Sequence, residues 1–253
     1  MLKKVFLLTI VFLLSLVFFL VVYMPVAWVW SQALEAELDA PLKSSGVRVR
    51  ELRGTMWQGA ALLDIKNIAV LANWELDPQG LWSLRLPLSL KLESGSGSAS
   101  ATASLSYGQT LLNLNSLEFE LSALNQQLRR ERIKLDGVLQ VQGLSLELED
   151  QKVLSAAGKL SWSGGTIAYP AGREQHERQI PSMRGELVTR EDGLIELGVR
   201  DSGASFDIIL GQLLPDGLAR LQVKRRLLDL AQEPWSNNST EQDTVFKVQK
   251  PIY

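Results

Sequence analysis

Leu84 to Leu92 reads LRLPLSLKL, and its reading decides the fold. Leu84, Leu86, Leu88, Leu90 and Leu92 share one parity, and Arg85, Pro87, Ser89 and Lys91 share the other. Side chains alternate across a strand, so this is the period of a β-strand with one buried face. Pro87 has no amide hydrogen and belongs at a sheet edge or a bulge. Working outward, Ser94-Gly95-Ser96-Gly97-Ser98 is a turn and Ser100 to Tyr107 a weaker strand ended by Gly108-Gln109. Leu112 and Leu114 then hold one parity while Leu117, Phe119 and Leu121 hold the other. One extra residue re-aims every later side chain, so the switch at Ser116 predicts a bulge. A second switch falls at Gly143, between the set Ile133, Leu135, Leu139, Val141 and the set Leu144, Leu146, Leu148.

The second half repeats the theme in shorter units. Asn125 to Arg132 is a polar turn, and Gln151–Trp162 and Gly165–Tyr169 are strands. Pro170 to Pro181 (PAGREQHERQIP) is the least patterned segment and reads as an exposed loop. Asp192-Gly193 joins Arg184–Thr189 to Leu194–Val199 as a tight hairpin turn. Ala204–Leu210 and Leu218–Val223 follow Ser202-Gly203 and Pro215-Asp216-Gly217, and Lys224–Gln232 is a short helix. The fold class is mainly β: an antiparallel, hairpin-rich sheet with one apolar face. Without helices to cover that face, the sheet packs on another in a sandwich, closes as a barrel, or curls into a gutter.

The amino end obeys a different rule. Val5 to Val22 (VFLLTIVFLLSLVFFLVV) carries no charge, and a run of about 18 such residues suffices to cross a membrane as a helix. Lys3 and Lys4 precede it, while Trp28, Trp30, Glu35, Glu37 and Asp39 follow, which orients the amino terminus to the cytoplasm. A cleaved signal peptide would have a shorter core and small residues where Tyr23, Trp28 and Trp30 stand. The expected layout is a cytoplasmic tail (1–4), a transmembrane helix (5–24), a juxtamembrane helical segment (25–41), a periplasmic β-rich domain (42–232) and a flexible carboxyl tail (233–253). Beside an inner-membrane helix, a membrane-spanning β-barrel is a poor fit.

Composition narrows the chemistry. The net charge of −2 argues against nucleic acid as a partner. Cysteine is absent, which excludes disulfides, thiol catalysis and thiolate metal sites. His176 is the one histidine; with Glu174 and Glu177 it could be imagined as a metal site, but Arg173 and Arg178 oppose a cation. A solvated loop is the simpler reading. Glu35, Glu37 and Asp39 read as the polar face of the juxtamembrane helix. Lys224-Arg225-Arg226 reads as a charged helix start, with acidic headgroups or a partner as the alternative. No triad, paired-carboxylate site or phosphate loop is present, so no enzyme and no cofactor is expected.

Two segments stand out from generic strand: Leu52–Leu63, LRGTMWQGAALL, and Ala72–Leu86, ANWELDPQGLWSLRL. Gly54 and Gly59 bracket Trp57, and a Trp there plugs one end of the sheet with its indole N–H seeking a carbonyl. Trp74 stands before the Asp77-Pro78 turn. Gly54-Thr55-x-Trp57-x-Gly59 followed by Trp74-x-x-x-Pro78 resembles the type II secretion system protein N family. Pro25-Val26-Ala27-Trp28, Gly164–Tyr169 and Arg226–Leu230 fit the same resemblance, which spans nearly the whole chain. It implies a short cytoplasmic end, one inner-membrane span and a periplasmic domain in the machine that moves folded proteins across the outer membrane. It brings no catalytic residues. Gly54, Thr55, Trp57, Gly59, Trp74 and Pro78 are thus structural or docking residues.

The expected role is a non-enzymatic accessory of that system, binding and positioning other components through exposed sheet edges. The alternative is a lipid-handling groove of the envelope, since an unbroken apolar face such as Leu84–Leu92 suits a greasy, open sheet.

Overall fold

The computed structural model describes residues 2–34, 42, 44–83, 85–106, 108–150, 152–235 and 238–252, with the side chains of some helical and strand residues left out. Glu35, Glu37, Asp39, Pro41, Leu84, Tyr107 and Gln151 lie outside the described residues. Helix α1 runs Leu2–Tyr23 and is followed by α2, Val26–Val29, and a wider π-turn, Trp30–Leu34. Over the described positions no helix is long and apolar enough to cross a membrane. Pro25 forms an antiparallel bridge with Thr55, so the carboxyl end of α1 sits against the end of the first strand.

The rest of the chain is one wide sheet. Strands β1 (Val47–Gly54), β2 (Gln58–Ile65), β3 (Ile68–Leu76), β4 (Arg85–Ser94), β5 (Gly97–Ser106), β6 (Gln109–Glu120), β7 (Val138–Glu149) and β8 (Lys152–Trp162) pair in sequence order. The hairpin β9 (Gly165–Ala171) and β10 (Glu174–Ile180) leaves the sheet. Strands β11 (Met183–Thr189), β12 (Ile195–Asp201), β13 (Ile209–Leu213), β14 (Leu218–Lys224) and β15 (Thr244–Pro251) resume it, with β11 beside β8. All 13 strands are antiparallel to their neighbours and the sheet is not closed, so neither barrel nor sandwich describes it. At ~4.8 Å per strand it measures about 58 Å from β1 to β15 along its contour.

Register puts the apolar parity of every strand on one face. Trp74 faces Leu90, Leu90 faces Ala101, Ala101 faces Leu114, and Leu114 faces Leu144. Beyond the register shift in β7 the face resumes from Val141 through Leu160, Gly185, Val199, Ile209, Val223 and Phe246. The other face carries serines and charges, such as Ser89, Thr102, Glu118, Gln140, Ser161, Arg184 and Arg200. Both predicted parity switches are present. Leu114 and Ser116 pair with Leu144 and Gln142, so Asn115 and Gly143 are opposed and the two switches cancel within the pair. Each instead shifts register against its outer neighbour, β5 or β8. The leucines on both sides of each switch therefore share the apolar face.

Four expectations are corrected by this architecture. Pro87 lies within interior strand β4, neither at a sheet edge nor at a bulge; β3 stops one pair short of it, so its missing N–H falls where the ladder has ended. Ile133 and Leu135 belong to a crossing loop, because β7 begins only at Val138. Pro170–Pro181 is not a loop: Glu174–Ile180 is a strand paired residue for residue with Gly165–Ala171. The carboxyl segment read as frayed carries β15, whose short pattern Val245-Phe246-Lys247-Val248 pairs with β14 at the sheet edge. The predicted short helix after Val223 is α3, Arg225–Leu230.

The compact core lies in the second half. Ile208 is fully buried, with Ile180 and Met183 against it, and Trp162, Ile167, Val199, Phe206, Leu227 and Leu230 packed around. The hairpin and α3 thus cover the apolar face there.

Candidate functional site, an apolar floor and its strap

The motif residues build the turn between β1 and β2. Gly54 pairs with Gly59 across the hairpin, and Thr55 Oγ1 accepts the amides of Trp57 and Gln58, both at 3.3 Å. The carbonyl of Trp57 accepts the Leu76 amide at 2.6 Å, fastening the turn to the end of β3. The indole N–H seen on a carbonyl here is that of Trp74, which donates to Met56 at 3.2 Å. A Cβ on Gly59 would meet the Trp74 ring at 2.4 Å, so this glycine makes room for Trp74. Pro78 opens a short 3-10 helix, Pro78–Ser83, and the carboxylate of the preceding Asp77 accepts the Gln79 amide at 2.9 Å. Trp57 and Trp74 are therefore joined through one turn, at the same sheet end that receives Pro25.

The basic run is consumed internally. Arg226 donates to buried Asp201 at 3.2 Å and to Glu241 at 3.1 Å, Arg225 to Ser239, and Lys224 Nζ to Thr244 at 2.9 Å. These contacts hold residues 239–244 against α3 and β14. The run is a clamp on the carboxyl segment, which neither spacing nor charge count revealed.

His176 is not a solvated loop residue. Its Nδ1 lies 2.6 Å from Glu233 Oε1, and the hydroxyl of Tyr169 donates to the same oxygen at 2.6 Å. Arg178 Nε donates to the Ala231 carbonyl at 2.7 Å. These hydrogen bonds, first that of Tyr169 and then that of His176, hold the Glu233 carboxyl below its ordinary range. Burial and then the bond to Glu233 push the Tyr169 hydroxyl up to about 12. Glu174 faces solvent, 3.9 Å from the imidazole. Among the described residues no group of three or more His, Asp or Glu side chains could hold a metal ion.

On its other long side the hairpin is tied again. Lys134 and Ala168 exchange both backbone hydrogen bonds, at 2.8 and 2.9 Å, and Gln175 donates to the Arg132 carbonyl at 2.8 Å. The hairpin therefore straps the apolar face from the loop before β7 to the segment after α3. Ile167, Tyr169 and Ile180 share the face of the hairpin that looks down, because they sit opposite Arg178, His176 and Gly165 in its ladder. Beneath it is an apolar recess of about 390 Å³, bounded by Leu135, Trp162, Ile167, Met183, Leu227 and Ala231 among others. A second apolar recess, of about 240 Å³, lies where Leu124 overhangs Val70, Leu92, Leu117 and Phe119. Gln127 donates to the Lys66 carbonyl at 2.7 Å and holds that overhang in place. A further depression, about 460 Å³, is on the polar face and is lined by groups of mixed charge such as Lys159, Arg184 and Glu186.

Between the two covers the apolar face is open. From β1 through β7, Ala61 and Ala72 are the only buried apolar residues among those described, and on this face the leucines of β4 and β6 are half-buried. An uncovered apolar face this long marks an interaction surface. Sequence reasoning found the floor through its parity but missed the strap, whose residues are polar in sequence. The family described as Type II secretion system (T2SS), protein N has a model that matches residues 45–234. No curated protein and no solved structure matches the chain.

Proposed function

We propose, on the premise that the chain belongs to the type II secretion system protein N family, that it is a non-enzymatic accessory component that binds and positions other parts of that system. The family match over residues 45–234 carries this reading. The chain would be held in the inner membrane by α1 with its sheet in the periplasm. The support for this is the sequence: Val5 to Val22 is an uncharged run of 18 residues. Phe6, Phe12, Leu13, Val17, Phe19 and Leu20 are all exposed, on several sides of the helix, as in a helix whose solvent is lipid. The β1 and β15 edges, each paired on one side only, are the surfaces for strand addition by a partner. The motif turn around Trp57 and Trp74, beside the end of α1, is a second docking surface. Crosslinking followed by affinity capture from detergent-solubilised membranes tests the assignment. Secretion components should be recovered, and deletion should impair release of secreted proteins; capture of none with release intact contradicts it.

The open apolar floor favours a second reading on its own evidence. A face of half-buried leucines across β4 to β7 suits lipid hydrocarbon, and a sheet serving only as a rigid spacer needs no such face. Lipid retained on the protein after purification, read by native mass spectrometry, supports it.

A further inference from the structure

We propose that the recess beneath the β9–β10 hairpin is a binding site for one acyl chain of a membrane phospholipid, with the hairpin as its fixed cover. This rests on the lipid-groove reading and on α1 as the anchor, and it names where in the groove a chain is held.

The walls select the ligand. The recess has about 390 Å³, within the ~300–1,000 Å³ of small-molecule sites. The two lining side chains that carry hydrogen-bonding groups are both committed: Trp162 Nε1 donates to the Asp136 carbonyl at 2.9 Å and the Tyr169 hydroxyl to Glu233. Nothing else in the lining side chains can hydrogen-bond, so a sugar, a peptide or a headgroup would lose its water without replacement. Hydrocarbon loses nothing there, and apolar recesses take apolar ligands in place of water.

The source follows from continuity. The apolar face runs without a polar interruption from Trp74 in β3, beside the end of α1, through Leu90, Ala101 and Leu114 and then, from Leu117, through Val141 to Leu160, which shares its parity with Trp162 of the recess wall. Hydrocarbon leaving the membrane at α1 meets an apolar path the whole way. The cover is built to stay in place: it is tied at Lys134 and Gln175 on one rim and at Tyr169, His176 and Arg178 on the other. A chain therefore enters along the floor, from the open half.

The test uses the full chain in vesicles of phosphatidylethanolamine and phosphatidylglycerol, part of it carrying a diazirine at the acyl end. After irradiation, adducts are mapped by peptide mass spectrometry. The expected result is adducts on Trp162, Ile167 or Met183 as well as on α1. Ala231→Trp, which fills the recess from the end of α3, should lower the recess adducts at least tenfold and leave those on α1 unchanged. Ala231→Phe serves if circular dichroism shows the larger side chain to unfold the sheet. Recess adducts that persist in a folded filling variant overturn the proposal. Adducts on Leu90 and Leu114 with none under the hairpin also overturn it while sparing the lipid-groove reading. Adducts on α1 alone overturn both.

Discussion

The two halves of the sheet share one sequence pattern and differ in what lies on it. In β1 to β7 the apolar parity holds leucines that are half-buried, and among the described residues only Ala61 and Ala72 are buried. In β8 to β14 the same parity holds Met183 and Ile195, both under 9 % exposed, and Met183 packs with Ile180 and Ile208 beneath a hairpin and a helix. The difference is made by two short polar elements, the hairpin with its Glu233 clasp and α3 with its Arg226–Asp201 pair. One half is a core by virtue of its cover. The other is a surface whose apolar character is left for something outside the chain.

The largest expected contrast is in truncation. Ile208→Ala should cost about 2–5 kcal/mol, because it removes a fully buried side chain and leaves a cavity. Leu90→Ala should cost less, about 1–2 kcal/mol, since that side chain is only partly buried and no closed cavity is left. Urea titrations of both variants check this, and equal losses would erase the distinction between the halves.

A smaller effect sharpens the comparison at the cover itself. The Glu233 carboxyl titrates below its ordinary 4.5 in the folded chain. A depressed carboxylate stabilises the fold above its unfolded pKa and loses that contribution as pH falls through the folded value. The raised Tyr169 hydroxyl works the other way: its contribution is complete below about 10 and is lost as pH rises toward about 12. Protection of the β10 amides, corrected for intrinsic exchange, should therefore fall below about pH 4.5 and above about pH 10, while β4 and β5 show neither change. Glu233→Gln should remove the acid-side loss. A β10 response identical in that variant would show that the clasp does not hold the hairpin.

Much of the floor was legible in the sequence and little of its cover was. Leu86 to Leu92 predicted both the strand and its buried parity, and Ser116 and Gly143 predicted bulges that the register places opposite one another. Such patterns are local, because strand geometry alone fixes which side chains share a face. The cover depends on contacts between distant residues: His176 and Tyr169 meet Glu233 from 57 and 64 residues away. REQHER reads as an exposed loop until its ladder partner is known, since its polar groups are paired by tertiary structure. The motif was half legible. Its glycines marked a close approach, but the ring that fills the space at Gly59 belongs to Trp74, which pairs with Gly59 across β2 and β3. Family membership was legible in that same motif.

The central claim is that one continuous apolar face is open in its first half and covered in its second, and thiol accessibility tests it most directly. The chain has no cysteine, so Leu90→Cys and Met183→Cys each give a single reporter on that face. On delipidated protein, a small methanethiosulfonate reagent should label position 90 at least tenfold faster than position 183. Equal rates, or faster labelling at 183, would contradict the account.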